Sequence, residues 1–206
     1  MAKQKEGVYE RIMECAKREF LEKGYTDASL RTIAAQAETS TNSIYVRFKD
    51  KEGLFTAIVE PVSEEFMSRF LNVQETFHTF DVETQRREVG KYSGNAMIEM
   101  VDYIYDHFDE FSLLLDASYG TKFCNFTDRL VSLEEEYTKK WLETTGSCIE
   151  PMGDMTDEFY HIMTTSYFEG IFEVVRHKMR REDAKKYVAM MGKYHHAGFL
   201  SILENE

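Results

Sequence analysis

Between Ser40 and Lys51 the chain reads Ser-Thr-Asn-Ser-Ile-Tyr-Val-Arg-Phe-Lys-Asp-Lys. Ile44 and Phe48, four apart, make the inward side of a short helix, which leaves Thr41, Asn42, Ser43, Tyr45 and Arg47 facing outward. A helix that offers hydroxyls, an amide and a guanidinium to solvent is equipped for polar recognition. Arg grips guanine or a phosphate at two points, Asn grips adenine, and hydroxyls adapt to either. Arg31 upstream and Lys51 downstream add charge, so residues 28–51 carry four Lys and Arg against two acids. The whole chain has a formal charge of −12, yet ten Lys and Arg balance ten Asp and Glu within residues 1–60. All the excess acid therefore lies beyond residue 60, and local charge favours a phosphate backbone where the total does not.

Such a helix must be held by others. Val8, Ile12, Ala16 and Phe20 predict a first helix over 6–23, ended by Lys23 and Gly24. Ser29 is placed to cap a two-turn helix carrying Leu30, Ile33, Ala34 and Ala37, Ser40 to cap Thr41 to about Phe48, and Asp50 to cap a fourth from Lys51 with Leu54, Phe55 and Ile58. Helices this short are not stable alone and need each other's packing. Two of them joined by a three-residue turn, with small Ala34 at the crossing and Ile44 ten residues on, make a helix-turn-helix pattern.

The remaining residues read as longer helices. Two prolines and eleven glycines in 206 residues are too few for the turns of an all-β protein, so the expected fold is all-α with about nine helices. The fourth helix bends near Pro61 and continues through Phe66 and Phe70, and stripes at Val89–Ile104, Phe111–Leu115 and Phe123–Trp141 mark three more. Glu134-Glu135-Glu136 reads largely as a solvated side, and Gly146–Gly153, around Pro151, as a loop. The eighth helix, through Phe159, Met163, Tyr167 and Val174, carries a second apolar face of Tyr160, Phe168, Phe172 and Val175, and the ninth spans about 182–203. A helix apolar on two faces is covered on two sides, so a second copy of the chain is expected against Phe168, Gly170, Phe172, Val175, Met190 and Ala197.

Several chemistries find no support. The scattered Cys15, Cys124 and Cys148 make neither a disulfide framework nor a thiolate site, and six histidines include no His-x-x-x-His pair. No phosphate loop, nucleophile elbow or catalytic triad can be placed. The expectation is a non-enzymatic protein without metal or cofactor, cytoplasmic because there is no apolar run of membrane-spanning length and no secretory signal.

Ile33-Ala34, Ala37, Ser40, Tyr45, Phe48, Lys51-Glu52 and Leu54, preceded by Phe20 and Gly24-Tyr25, resemble the N-terminal DNA-binding domain of the TetR family of bacterial transcriptional regulators. The resemblance implies a head at 1–50 and a ligand-binding and dimerisation domain at 51–206. It places Arg31, Ser40, Thr41, Asn42, Ser43 and Arg47 at bases or phosphates of a palindromic operator, and Tyr45 and Lys51 on the phosphate backbone; the bland alternative makes Tyr45 core and Lys51 merely solvated. It also implies repression relieved by a small molecule. Phe66, Phe70, Met97, Met100, Tyr103, Phe111, Tyr119, Phe126, Trp141, Tyr160, Met163 and Tyr167 are the candidate lining, and the acidic, aromatic composition favours an apolar or cationic effector. Two other classes compete: a constitutive or protein-regulated DNA-binding factor with a filled core, and a helical metabolite-binding protein that has lost DNA binding. Glu38 stands where the family has Gly, Thr39 where it has Val, and Arg47 where it often has His or Tyr.

Overall fold

The computed structural model describes residues 7–149 and 156–205. Nine helices follow one another among them: α1 (Val8–Asp27), α2 (Leu30–Gln36), α3 (Thr41–Phe48), α4 (Lys51–Phe77), α5 (Val82–Asp106), α6 (Phe108–Asp116), α7 (Phe126–Thr145), α8 (Thr156–Arg176) and α9 (Arg181–Ser201). The one addition to an all-α chain is a pair of three-residue strands, β1 (Ser147–Ile149) and β2 (Leu203–Asn205), antiparallel with Cys148 opposite Glu204. The second half of the loop expected at Gly146–Gly153 lies outside the described residues, and its first half is Gly146 followed by β1. The expected stop of α1 at Lys23 and Gly24 is half met: Gly24 has left the helical conformation at φ 71°, yet one more turn follows to Asp27.

The chain divides into two compact units, Met1–Glu65 with His107–Phe126 and Phe66–Asp106 with Thr127–Glu206. In the first, Phe20 meets Phe55 edge-on at 5.1 Å between ring centroids, and Tyr25 and Phe123 close on Phe55 from other sides. Ile12, Ala16, Ile33, Ile44 and Leu54 complete this core, each without exposed surface. The N–H of Tyr25 donates to the carbonyl of Ala117, which ties the end of α1 to the segment after α6. The unit holding the helix-turn-helix is thus larger than the 1–50 head: α4 as far as Glu65 and residues 107–126 share its core. Phe111 and Phe126 belong to that core, 6.1 Å apart, and Tyr119 is 84% exposed.

In the second unit, α9 packs along α5 and α8. Arg181 donates to the carboxylates of Asp102 and Asp106, and the Tyr105 hydroxyl donates to the carbonyl of Met179 at 2.8 Å. Here the expectation for the second face of α8 is corrected, while Ile171 and Val174 of the first face are buried as expected. Phe168, Phe172 and Val175, expected against a second copy, are 1%, 0% and 2% exposed and face their own unit's core, where Phe70 meets Phe168 at 5.6 Å. Bulky rings and a β-branched residue fill the space between α8 and α4, so the chain covers this face by itself. Gly170 is likewise internal, since a Cβ there would lie 2.7 Å from Met191 Cε on α9. The exposed large apolar residues of these two helices are instead Ile162, Met163, Met190, Tyr194 and Leu200, and Ala197 is exposed beside them.

Candidate functional site

Local chemistry fixes the short helices. The Ser29 hydroxyl accepts from the N–H of Thr32, that of Ser40 from the N–H of Ser43 at 3.2 Å, and Asp50 Oδ1 from the N–H of Gly53 at 2.7 Å. Each satisfies a donor that a helix start leaves unpaired. The turn between α2 and α3 closes when the N–H of Thr39 donates to the carbonyl of Ala34 at 2.9 Å, with Ile33, Ala34, Ala37 and Ile44 buried beneath it. The outer face of α3 is then free for recognition. Arg31, Ser40, Asn42, Tyr45 and Arg47 are exposed, and Thr41, Ser43 and Lys51 half-buried. Tyr45, at 51% exposure, is not core. Arg47 Nη1 folds back onto the carbonyl of Ser43 at 3.0 Å and also donates to the Ser43 hydroxyl.

Lys51 is neither free nor simply solvated. Its ammonium donates to the carbonyls of Thr26 at 2.8 Å and Ala28 at 3.2 Å and lies 4.8 Å from the centre of the Tyr25 ring. It therefore ties the start of α4 to the end of α1 and keeps one of three N–H groups for another acceptor. Glu19, 2% exposed, does similar work: its carboxylate accepts from the backbone N–H of Ser29 at 3.1 Å and from Lys23. A buried Glu on an apolar stripe is the signal for this contact, and helix periodicity alone passes over it.

Glu38 occupies the turn at φ 51°, a left-handed conformation that disfavours any residue with a Cβ. Glu38→Gly relieves about 1–2 kcal/mol of strain and gives part of it back as chain entropy in the unfolded state. A net gain of about 0.5–1 kcal/mol is expected, read as a higher denaturant midpoint with unchanged slope.

The second unit contains a cavity of about 570 Å3, a usual size for a small-molecule site. Gln74 and Phe77 of α4, His78 just after it, and Glu134, Tyr137, Thr138 and Trp141 of α7 form one side, Phe159, Tyr160, Met163, Thr164 and Tyr167 of α8 another. Residues 192 and 194–199 of α9, with Ile202, and Val89, Gly90, Ser93 and Gly94 of α5 complete it. Of the residues expected to line a ligand site, Trp141, Tyr160, Met163 and Tyr167 do line this one. Phe66, Phe70, Met97, Met100 and Tyr103 are instead buried side chains outside its lining. Gly90 permits the close approach of α9, for a Cβ there would fall 2.3 Å from the His196 ring.

Glu134 departs from the solvated side expected for its acidic run. It lines the cavity, where its carboxyl accepts from Gln74 Nε2 at 2.5 Å, and desolvation pushes its pKa up to about 7. Burial, with the charge of Glu134 second, raises Tyr167, and burial lowers both His195 and His196. A raised acid binds its proton more tightly in the folded state, so the stability due to Glu134 is greatest below pH 4.5, its unfolded value, and is lost as pH rises through about 7. The full loss corresponds to about 3 kcal/mol. Glu134→Gln is expected to remove that slope, visible as the difference between the two proteins' stability profiles across this pH range.

An exposed polar helix on a helix-turn-helix, carried by an all-α chain, defines the fold of a DNA-binding transcriptional regulator. Residues 12–58 match the family profile described as bacterial regulatory proteins, tetR family. The helix-turn-helix region is thus similar to that family's N-terminal domain, and the chain as a whole has the TetR-like all-α fold. Similar solved structures include SmeT, the repressor of the Stenotrophomonas maltophilia multidrug efflux pump SmeDEF, at 18% identity over 95% of this chain and 90% of that one, TM-score 0.63. A TetR-family regulator from Bordetella parapertussis matches at 16% identity over 97% and 100%, TM-score 0.63, and a TerR/AcrR-family regulator from Aquifex aeolicus at 20% over 91% and 99%, TM-score 0.57. At these identities the likeness is one of fold. No curated protein matches the chain in sequence.

Proposed function

We propose that this protein is a sequence-specific repressor that leaves its operator when a small molecule enters the cavity of the second unit. The observation that carries this reading is the pairing of an exposed, hydrogen-bonding α3 with a ligand-sized cavity elsewhere in the same chain. Functionally, residues 1–50 read DNA through Arg31, Ser40, Thr41, Asn42, Ser43, Tyr45 and Arg47, joined by Lys51 at the start of α4, and residues 51–206 bind the effector and pair two copies in the cytoplasm. Met190, Tyr194 and Ala197 recur along one face of α9, and all three are exposed, which suits an interface with a second copy. Two heads then read a palindrome whose half-sites lie about 34 Å apart or a multiple of it. Effector contact with the end of α4 runs through Gln74 and Phe77, and through His78 just after it, rather than through Phe66 and Phe70. The cavity favours this reading over a DNA-binding factor with a filled core.

Operator selection from random duplexes tests it. A palindrome should be enriched, and Arg47→Ala is expected to weaken binding by about 1–3 kcal/mol and to relax preference at the base it reads. Recovery of no palindrome would favour the metabolite-binding alternative instead.

A further inference from the structure

The cavity carries one acid and no Lys or Arg among its described lining residues. Two further polar groups there have no hydrogen-bond partner: Trp141 Nε1, on a side chain 6% exposed, and His78 Nε2. His78 Nδ1 lies 2.9 Å from the carbonyl of Gln74 and must donate to it, so in the neutral ring Nε2 is a bare acceptor. The same Gln74 holds Glu134 through its side chain, and the His78 and Tyr137 rings stand 5.1 Å apart. Glu134 and the His78 ring are thus both tied to Gln74, while the orphan donor Trp141 Nε1 sits seven residues from Glu134 along α7, a rise of about 10 Å.

We propose that the cavity takes an organic amine on an aromatic or alkyl body, its ammonium held by the Glu134 carboxylate and His78 Nε2, with an acceptor at its far end meeting the Trp141 indole N–H. A neutral ligand leaves the carboxylate desolvated and uncompensated, and an anion adds repulsion with no base to meet it. A cation removes that cost and gains from the faces of the surrounding rings. An N–H is required as well as a charge, because a quaternary nitrogen cannot satisfy His78. The other titratable groups on the lining, from every helix that contributes one, are Tyr137 of α7, Tyr160 and Tyr167 of α8, and Tyr194, His195 and His196 of α9; α5 contributes none. Burial favours the uncharged forms of Tyr167, His195 and His196, so none of these three competes for the cation's role. Near neutral pH the protonated fraction of Glu134 gives up its proton to the buffer when the ammonium arrives, which leaves one ion pair in place of a carboxylic acid.

The inference rests on reading the cavity as the effector site, and the test is arranged so that the two fail separately. Biphenylmethylamine, its trimethylammonium analogue, the corresponding alcohol and the corresponding carboxylate are titrated into the DNA-free protein by calorimetry. The amine is expected to bind at least about tenfold more tightly than the alcohol at about pH 8, with the trimethylammonium weaker than the amine and the carboxylate weakest. Its affinity should fall towards pH 6 as Glu134 takes up its proton, and heats in buffers of different ionisation enthalpy should report proton release near about pH 7. Glu134→Gln should cost the amine about tenfold and leave the alcohol unchanged. An alcohol or carboxylate that equals the amine, an unaltered amine affinity in Glu134→Gln, or no binding by any of the four would overturn the proposal. An amine that binds as expected but leaves operator affinity unchanged would overturn release by ligand and leave this assignment standing.

Discussion

Phe172→Asp is expected to unfold the protein, not to separate two copies of it. The side chain has no exposed surface and sits on the face of α8 that its own unit covers. The substitution empties the volume of a ring and places a charge there without a partner, two mechanisms that together reach about 5 kcal/mol or more. Against a usual total stability of about 5–15 kcal/mol this removes much or all of the folded population. The helical circular dichroism signal should be lost at room temperature or well below the parent's midpoint. Met190→Asp, on a side chain 70% exposed, supplies the contrast: the helical signal is retained while sedimentation shifts to the monomer. Dissociation without unfolding in Phe172→Asp would return that residue to the interface.

Gly53→Ala is expected to disrupt the junction between α3 and α4. A Cβ at position 53 would stand 1.8 Å from the carbonyl oxygen of Phe48 and 3.0 Å from its carbon. Backbone cannot yield as a flexible side chain does, so either the last turn of α3 or the first of α4 must move. Overpacking typically costs about 1–3 kcal/mol, and a backbone contact this close belongs at the upper end. Because Asp50 also caps α4 through the N–H of Gly53, the displacement reaches the helix that carries Tyr45 and Arg47. Operator affinity is expected to fall at least about tenfold, with a lowered melting midpoint, even though position 53 offers no group to DNA. Parent-like binding by the variant would show that α3 tolerates the shift.

The head was the most legible part of the chain because its devices are local. Ser29, Ser40 and Asp50 announce helix starts within three or four residues, and all three accept the backbone N–H groups that such positions predict. Glycine in the first turn of α4, where it weakens a helix by about 1 kcal/mol relative to Ala, was the available sign that another backbone passes close by. What did not follow from periodicity was which of two apolar faces turns inward. On α8 both stripes are continuous, and only the partner surfaces decide: Phe168 meets Phe70, so the face first assigned to a second copy turns inward together with Ile171 and Val174 of the other. The cavity illustrates the same limit. An aromatic residue reads identically whether it fills a core or borders a space, so Phe66 and Tyr103 could not be separated from Trp141 and Tyr167 by type or spacing. Glu134 was hidden within three consecutive acids, one of which must face differently from its neighbours on a helix.

On the proposed reading of DNA by α3, the hold that Arg47 has on Ser43 means that the two side chains do not address DNA as independent letters. Withdrawing the guanidinium to reach a base also frees the Ser43 hydroxyl, and replacing Ser43 leaves Arg47 only the backbone carbonyl of its two resting acceptors. Substitutions at the two positions therefore share one interaction, and their effects on operator preference will not add. Natural variation in the operators of such a protein would be constrained in pairs of positions, since a change read by one residue alters the freedom of the other.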